Sequence, residues 1–243
     1  MKSDREWQHW GSTDPFWAVS SWEGKRRSDP TPWTAEELRA LGESDFGDVL
    51  GHWSHYGLRT ERCVEIGCGA GRMTYPLAAC FRSVVALDVS RDQLMTARHL
   101  VGERIGRVLL CLVDRPVVPL GDGSCTAMFS THVFQHFSNY DGIERYLMET
   151  FRVLASGGTV CFHTPVPGAH KSVERPAPWM AIRNLKVSVQ RAIGLYSVME
   201  FHRYQPSRIL GTLERIGFRD RELRIFAMSS NGDLHSFFFA RKP

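Results

Sequence analysis

Short apolar runs and amphipathic stretches alternate along the chain from residue 62 onward. Cys63–Ile66, Ser83–Asp88, Val108–Val113, Cys125–Ser130 and Thr159–Thr164 are largely apolar runs of strand length, as expected of strands covered on both faces. Between them, Met73–Cys80, Asp92–Val101 and Gly142–Leu154 read as helices, the last closed by Ser156-Gly157-Gly158. Pro206–Ile216 is a further helix with proline at its start. After the Gly217-Phe218 turn come strands Arg221–Phe226 and Leu234–Ala240. This order predicts an α/β fold whose sheet is mostly parallel and carries helices on both faces.

Two segments fall outside that rhythm. Residues 1–57 are rich in tryptophan (Trp7, Trp10, Trp17, Trp22, Trp33, Trp53) and broken at Asp14-Pro15 and Asp29-Pro30-Thr31-Pro32. Thr34-Ala35-Glu36-Glu37 has the N-cap and early acids of a helix start, and Phe46–Tyr56 reads as a second helix. The expectation is an N-terminal helical cap over 1–57, its tryptophans either packing that cap or closing as a lid, followed by one domain over 58–243. Residues 165–203, with Pro165, Pro167, Pro176 and Pro178 before a helical run at 179–193, read as an insertion after the fifth strand.

The chemistry concentrates at Val64-Glu65-Ile66-Gly67-Cys68-Gly69-Ala70-Gly71-Arg72, where a strand runs into three alternating glycines. Glycine tolerates positive φ and lets a ligand lie against the backbone, and a helix starting near Arg72 turns free N–H groups toward that ligand. A dinucleotide fingerprint, G-x-G-x-x-G, needs glycine at position 72, and Arg72 excludes it. A second acid, Asp88, ends the next strand about twenty residues on, where a carboxylate can accept both hydroxyls of a ribose. Its plainer reading is a helix-capping acid.

The loop resembles motif I of class I S-adenosylmethionine-dependent methyltransferases, of the type 11/25, small-molecule O-methyltransferase group. Asp114-Arg115 followed by Pro119-Leu120-Gly121-Asp122-Gly123-Ser124 is similar to a second family segment, with Arg115, Cys125 and Thr126 replacing its Ala, Phe and Asp. Ser130-Thr131-His132-Val133-Phe134-Gln135-His136 resembles a third, and Arg152–Gly158 a fourth. Arg203-Tyr204-Gln205-Pro206 and Ile216-Gly217-Phe218 are similar to the family's last helix, and Trp10–Val19 to the caps of bacterial members. The resemblance implies a Rossmann-like, seven-stranded, mostly parallel sheet. It also implies S-adenosylmethionine as cofactor (product S-adenosylhomocysteine), bound by Glu65, Gly67, Cys68, Gly69, Gly71, Asp88, Val89, Asp114, Arg115, Thr131 and His132.

Methyl transfer is an in-line displacement, so the protein's main task is alignment and exclusion of water. A hydroxyl acceptor benefits from a general base of histidine-like pKa. His132, His136 and His163 fall at C-terminal ends of strands, the ligand-binding edge of such sheets. His136 is the first candidate base, with His163 across the cleft as its partner; a cleft-wall or capping role is the plainer reading. The strand-four segment lacks the D/N-P-P-Y and Pro-Cys runs of base-modifying relatives, which disfavours DNA bases as acceptors.

The insertion carries Lys171, Arg175, Arg183, Lys186, Arg191 and Arg203 against Glu174 and Glu200. That excess reads either as a solvated face or as a site for an anionic acceptor. A net charge of +4 over 243 residues is mild, so a nucleic-acid partner is not expected. No apolar run reaches ~18 residues and none follows a signal-peptide plan, so neither membrane nor export is expected. The six cysteines, without a C-x-x-C pair, read as reduced thiols of a cytoplasmic protein, and no metal ligand set is expected. The competing readings are a tRNA- or protein-directed methyltransferase and a non-catalytic, methyltransferase-like binding subunit.

Overall fold

The structure, a computed structural model, describes residues 2–137, 139–167, 199, 201–228 and 232–243. The helical run at 179–193 and every basic residue of the insertion except Arg203 lie outside the described residues. Seven strands among those described form one sheet: β1 (Arg62–Ile66), β2 (Ser83–Asp88), β3 (Val108–Leu112), β4 (Cys125–Ser130), β5 (Leu154–Pro165), β6 (Arg219–Ala227) and β7 (Leu234–Arg241). Their order is β3-β2-β1-β4-β5-β7-β6. The first five run parallel, and β7 pairs antiparallel to both β5 and β6. This is the mostly parallel sheet that the alternation predicts, in the Rossmann-like, seven-stranded form that the resemblance implies.

Side chains alternate across the sheet, as strand geometry requires. Val64, Ile66, Val85, Leu87, Met128, Phe162 and Phe238 pack on one face with helices α6 (Tyr140–Val153) and α7 (Pro206–Ile216). Cys63, Val84, Ala86, Ala127, Phe129, Cys161 and Phe239 pack on the other with α3 (Ala35–His55) and α4 (Thr74–Cys80), joined there by Leu94 of α5 (Arg91–Val101). All six cysteines are free, four of them buried.

The structure alters three sequence readings. A single helix, α3, replaces the two expected around 35–56. A reciprocal Thr34–Glu37 capping box starts it, and Gly42 lets it lie against the backbone carbonyl of Arg72. Trp53 of this helix is fully buried and donates its indole N–H to Thr159 Oγ1 at 2.9 Å. Thus α3 packs on the sheet, and its Leu41 and Asp45 join residues of α1 (Lys2–Thr13), α2 (Pro15–Val19) and the following turn in lining the site cavity. Finally, Ser156-Gly157-Gly158 does not simply close α6. It lies within β5, where Gly157 N–H donates to the Lys242 carbonyl and Lys242 N–H to that of Gly158, both at 2.9 Å.

Candidate active site

The strand order reverses direction between β1 and β4, so the loops leaving these strands diverge and open a crevice at their carboxyl ends. There lies a cavity of about 520 Å³, within the range of ~300–1,000 Å³ usual for small-molecule sites. Its floor is the loop after β1. Gly67 and Gly69 have φ of 73° and 51°. A Cβ on Gly67 would enter Val133, and one on Gly69 would enter Val19 of α2. Gly71 differs in role. It does not line the cavity, and its φ of 90° serves close packing on Ala97 of α5.

Asp88 closes the second wall. Its Oδ2 accepts the Gly69 amide N–H and its Oδ1 that of Ser90, each at 2.8 Å. Burial pushes its carboxyl up to about 6 despite those bonds. Glu65 accepts the Thr74 hydroxyl at 2.6 Å and is pushed up to about 7, by burial first, while the Asp88 charge adds. Two buried amide oxygens, Gln93 Oε1 and Gln135 Oε1, line the same cavity without a partner. A ligand carrying ribose hydroxyls, an amino group and an adenine amine would supply the donors this lining lacks, so the residues present fit an adenosyl amino acid.

The structure brings Glu65, Gly67, Cys68, Gly69, Asp88, Val89, Thr131, His132 and His136 to this one cavity. It does not bring Asp114 and Arg115. β3 ends at Leu112, so Val113 turns inward, while the two charged side chains are 92% and 77% exposed and face each other at 3.7 Å. His163 is also elsewhere than expected. It shares the strand parity of Cys161, which turns it to the α3 side and into an adjoining cavity of about 340 Å³. Thr131, His132 and Arg72 line both cavities.

His136 sits in a short 3-10 turn, Phe134–His136, with Trp7 of α1 edge-on at 4.7 Å and the Gln135 side-chain nitrogen 3.2 Å from its Nε2. Trp7, Val19, Gln93, Arg72 and Tyr146 also line the cavity and were missed as site residues. Arg72 is buried in an ion pair with Asp45 of α3. Its position directly after the glycine loop was the available signal. Among the basic residues of the insertion, Arg203 is described, and it pairs with Asp233 at 3.6 Å. No helix among the described residues is long and apolar enough to cross a membrane.

A glycine loop, an acid after β2 and a cavity beyond β4 on a sheet of this order define a class I methyltransferase fold. Comparison with known proteins agrees. Residues 64–162 match the family model described as "Methyltransferase domain", of type 11. It is 30% identical over 137 residues, 56% of its own length, to the biotin biosynthesis bifunctional protein BioHC of Cellvibrio japonicus, of which it spans 26%. In fold it is similar to phosphoethanolamine N-methyltransferase 2 of Haemonchus contortus, solved with phosphomonomethylethanolamine and S-adenosylhomocysteine. That match has a TM-score of 0.60 at 18% identity, over 81% of this chain and 53% of that one. It is similar also to the [4+2]-cyclase SpnF, with a TM-score of 0.56 at 18% identity over 76% of each chain.

Proposed function

We propose that the chain transfers a methyl group from S-adenosylmethionine to a hydroxyl of a small molecule, a sugar or natural-product intermediate. The observation that carries this reading is the convergence of the glycine loop, Asp88 and His136 on one cavity. The cofactor, when bound, supplies an electrophilic methyl group on a sulfonium. Gly67 and Gly69 would admit its amino-acid end against the backbone, and Asp88 would accept the ribose hydroxyls with the lone pairs its two amide bonds leave over. Trp7 and Phe201 flank His136, with ring centroids at 4.7 and 6.3 Å, and keep water from the acceptor.

His136 would take the acceptor hydroxyl's proton as the methyl carbon passes from sulfur to the acceptor oxygen, the broken carbon–sulfur bond leaving neutral S-adenosylhomocysteine. The Gln135 side-chain nitrogen, 3.2 Å from Nε2, holds the ring in place at the cavity. The basic excess over 165–203 supports an anionic acceptor. Charge reversal at Arg175 or Arg183 should then raise acceptor KM.

The test is S-adenosylhomocysteine release by the purified chain against a panel of sugars, phenols and their phosphorylated or carboxylated forms. On any accepted hydroxyl substrate, His136→Ala should lower kcat by about 10²–10⁴-fold. Activity within a few-fold of the parent would remove the base assignment. No thermal stabilisation by S-adenosylhomocysteine would remove the cofactor.

A further inference from the structure

We propose that His132, His163 and His235 form a binding site for a borderline divalent transition ion, Zn²⁺ or Co²⁺, with an open coordination position facing the smaller cavity. Each offers one ring nitrogen, and the three atoms lie within 4.8 Å of one another. The backbone produces this convergence. His163 stands opposite Phe237 in the β5–β7 ladder, so His235 is its diagonal neighbour on the same face, a position from which long or aromatic side chains touch. The third ring comes from the loop after β4, where His132 holds φ at 58°. Left-handed backbone costs a non-glycine residue ~1–2 kcal/mol, and such outliers persist where a site needs them. The ring centroids of His132 and His163 are 4.3 Å apart, and those of His163 and His235 4.8 Å.

The hydrogen bonds define what an ion would replace. His163 accepts the His132 amide hydrogen at Nδ1 across 3.3 Å, and its Nε2 lies 2.7 Å from His235 Nδ1, so one proton sits between the two rings. An ion at ~2.0–2.1 Å from each nitrogen holds tetrahedral ligands about 3.3 Å apart, so the pair must open by roughly half an ångström. The His163 proton moves to Nδ1 and the long amide contact is given up. Three imidazoles without thiolate or carboxylate suit Zn²⁺ or Co²⁺ and not Mg²⁺ or Ca²⁺. Three protein ligands leave a fourth position for a water or an oxygen of a small molecule. His132 and His163 both line the 340 Å³ cavity into which that position would open.

The test uses the full chain, stripped with a chelator and titrated with ZnCl₂ by calorimetry and with CoCl₂ by visible absorption. Expected are one saturable equivalent and the intense d–d bands of four-coordinate Co²⁺. His235→Gln should weaken Zn²⁺ binding by about a hundredfold or more, above the effect of losing an outer-shell group. The same variant should keep the parent's thermal stabilisation by S-adenosylhomocysteine. Absence of a saturable equivalent, or equal affinity in His235→Gln, overturns the site. If His235→Gln does not fold, the parent decides: a pale six-coordinate Co²⁺ spectrum overturns the proposal and a four-coordinate one supports it. Failure of S-adenosylhomocysteine to stabilise the parent would sink the cofactor reading and leave the metal titration standing.

Discussion

Asp88 grips Gly69 at 2.8 Å, carboxylate to amide, so the acid after β2 holds the loop after β1 in its ligand-ready shape. The same carboxylate reaches back to the Ser90 amide, the N-cap of α5. One residue thereby ties a glycine turn with positive φ to a helix start. Asp88→Asn should lose this twice over. Its NH₂ group must face one of the two amide donors, and its single oxygen no longer carries the charge that strengthens a ribose hydroxyl bond. Hydrogen bonds to charged groups are worth ~1.5–3 kcal/mol each. Calorimetry should therefore show S-adenosylhomocysteine binding weakened by roughly a hundredfold, and undiminished affinity would free Asp88 of the role.

The same burial sets a pH dependence. Because desolvation raises Asp88 from 3.8 to about 6, the folded chain binds this proton more tightly than the unfolded chain. Asp88 therefore costs the ligand-free fold nothing below its ordinary value, and stability falls as pH rises from about 4 to about 6. The displacement amounts to roughly 3 kcal/mol at neutral pH. Asp88→Asn, which does not titrate, should gain Tm relative to the parent across that window in thermal melts. Glu65, raised to about 7, acts in the same sense up to neutrality. Ligand affinity should move the other way and tighten as pH rises through about 6, since a neutral carboxyl is a poorer acceptor for two hydroxyls. A flat affinity profile between pH 5 and 7.5 would contradict the ribose role.

How far these features could be read in the sequence follows the range of the interactions that make them. The apolar runs at Cys63–Ile66 and Thr159–Thr164, the glycine loop and the Thr34 cap are local signals, and each lies where the pattern places it. Asp114 failed by one residue. β3 stops at Leu112, and that single step decides whether Val113 or its charged neighbour faces the ligand. His235 left no local trace at all. It lies 72 residues from its partner His163 on the antiparallel edge of the sheet, so only the register of β5 with β7 reveals it.

Trp7 ties the N-terminal helices to the site through its edge contact with His136. Gly11 of the same helix lets α1 press on Ser90 and Gln93, beside the Asp88 carboxylate. Aromatic pairs contribute ~0.5–1.5 kcal/mol beyond the area they bury. Trp7→Ala should thus weaken S-adenosylhomocysteine roughly tenfold, chiefly through a faster off-rate, while moving the ligand-free Tm little. A large Tm loss with unchanged off-rate would instead make Trp7 a packing residue of the cap.

Gly69 and Val19 provide the sharpest test of whether α2 is the ceiling over the loop. Gly69 holds φ at 51°, and a Cβ there would run into Val19 Cγ1. Gly69→Ala therefore carries two penalties, left-handed backbone at ~1–2 kcal/mol and a collision that pushes α2 away from the cavity. The first is intrinsic to the loop, and the second depends on the valine. Val19→Ala alone should leave the loop intact and reduce ligand affinity only by its lost contact. In the double variant the collision disappears and the backbone strain stays, so S-adenosylhomocysteine affinity should recover part of what Gly69→Ala loses. The two changes should couple in a double-mutant cycle by at least ~0.5 kcal/mol, as touching residues do. Strict additivity in calorimetric Kd values would mean that α2 does not rest on the loop in solution.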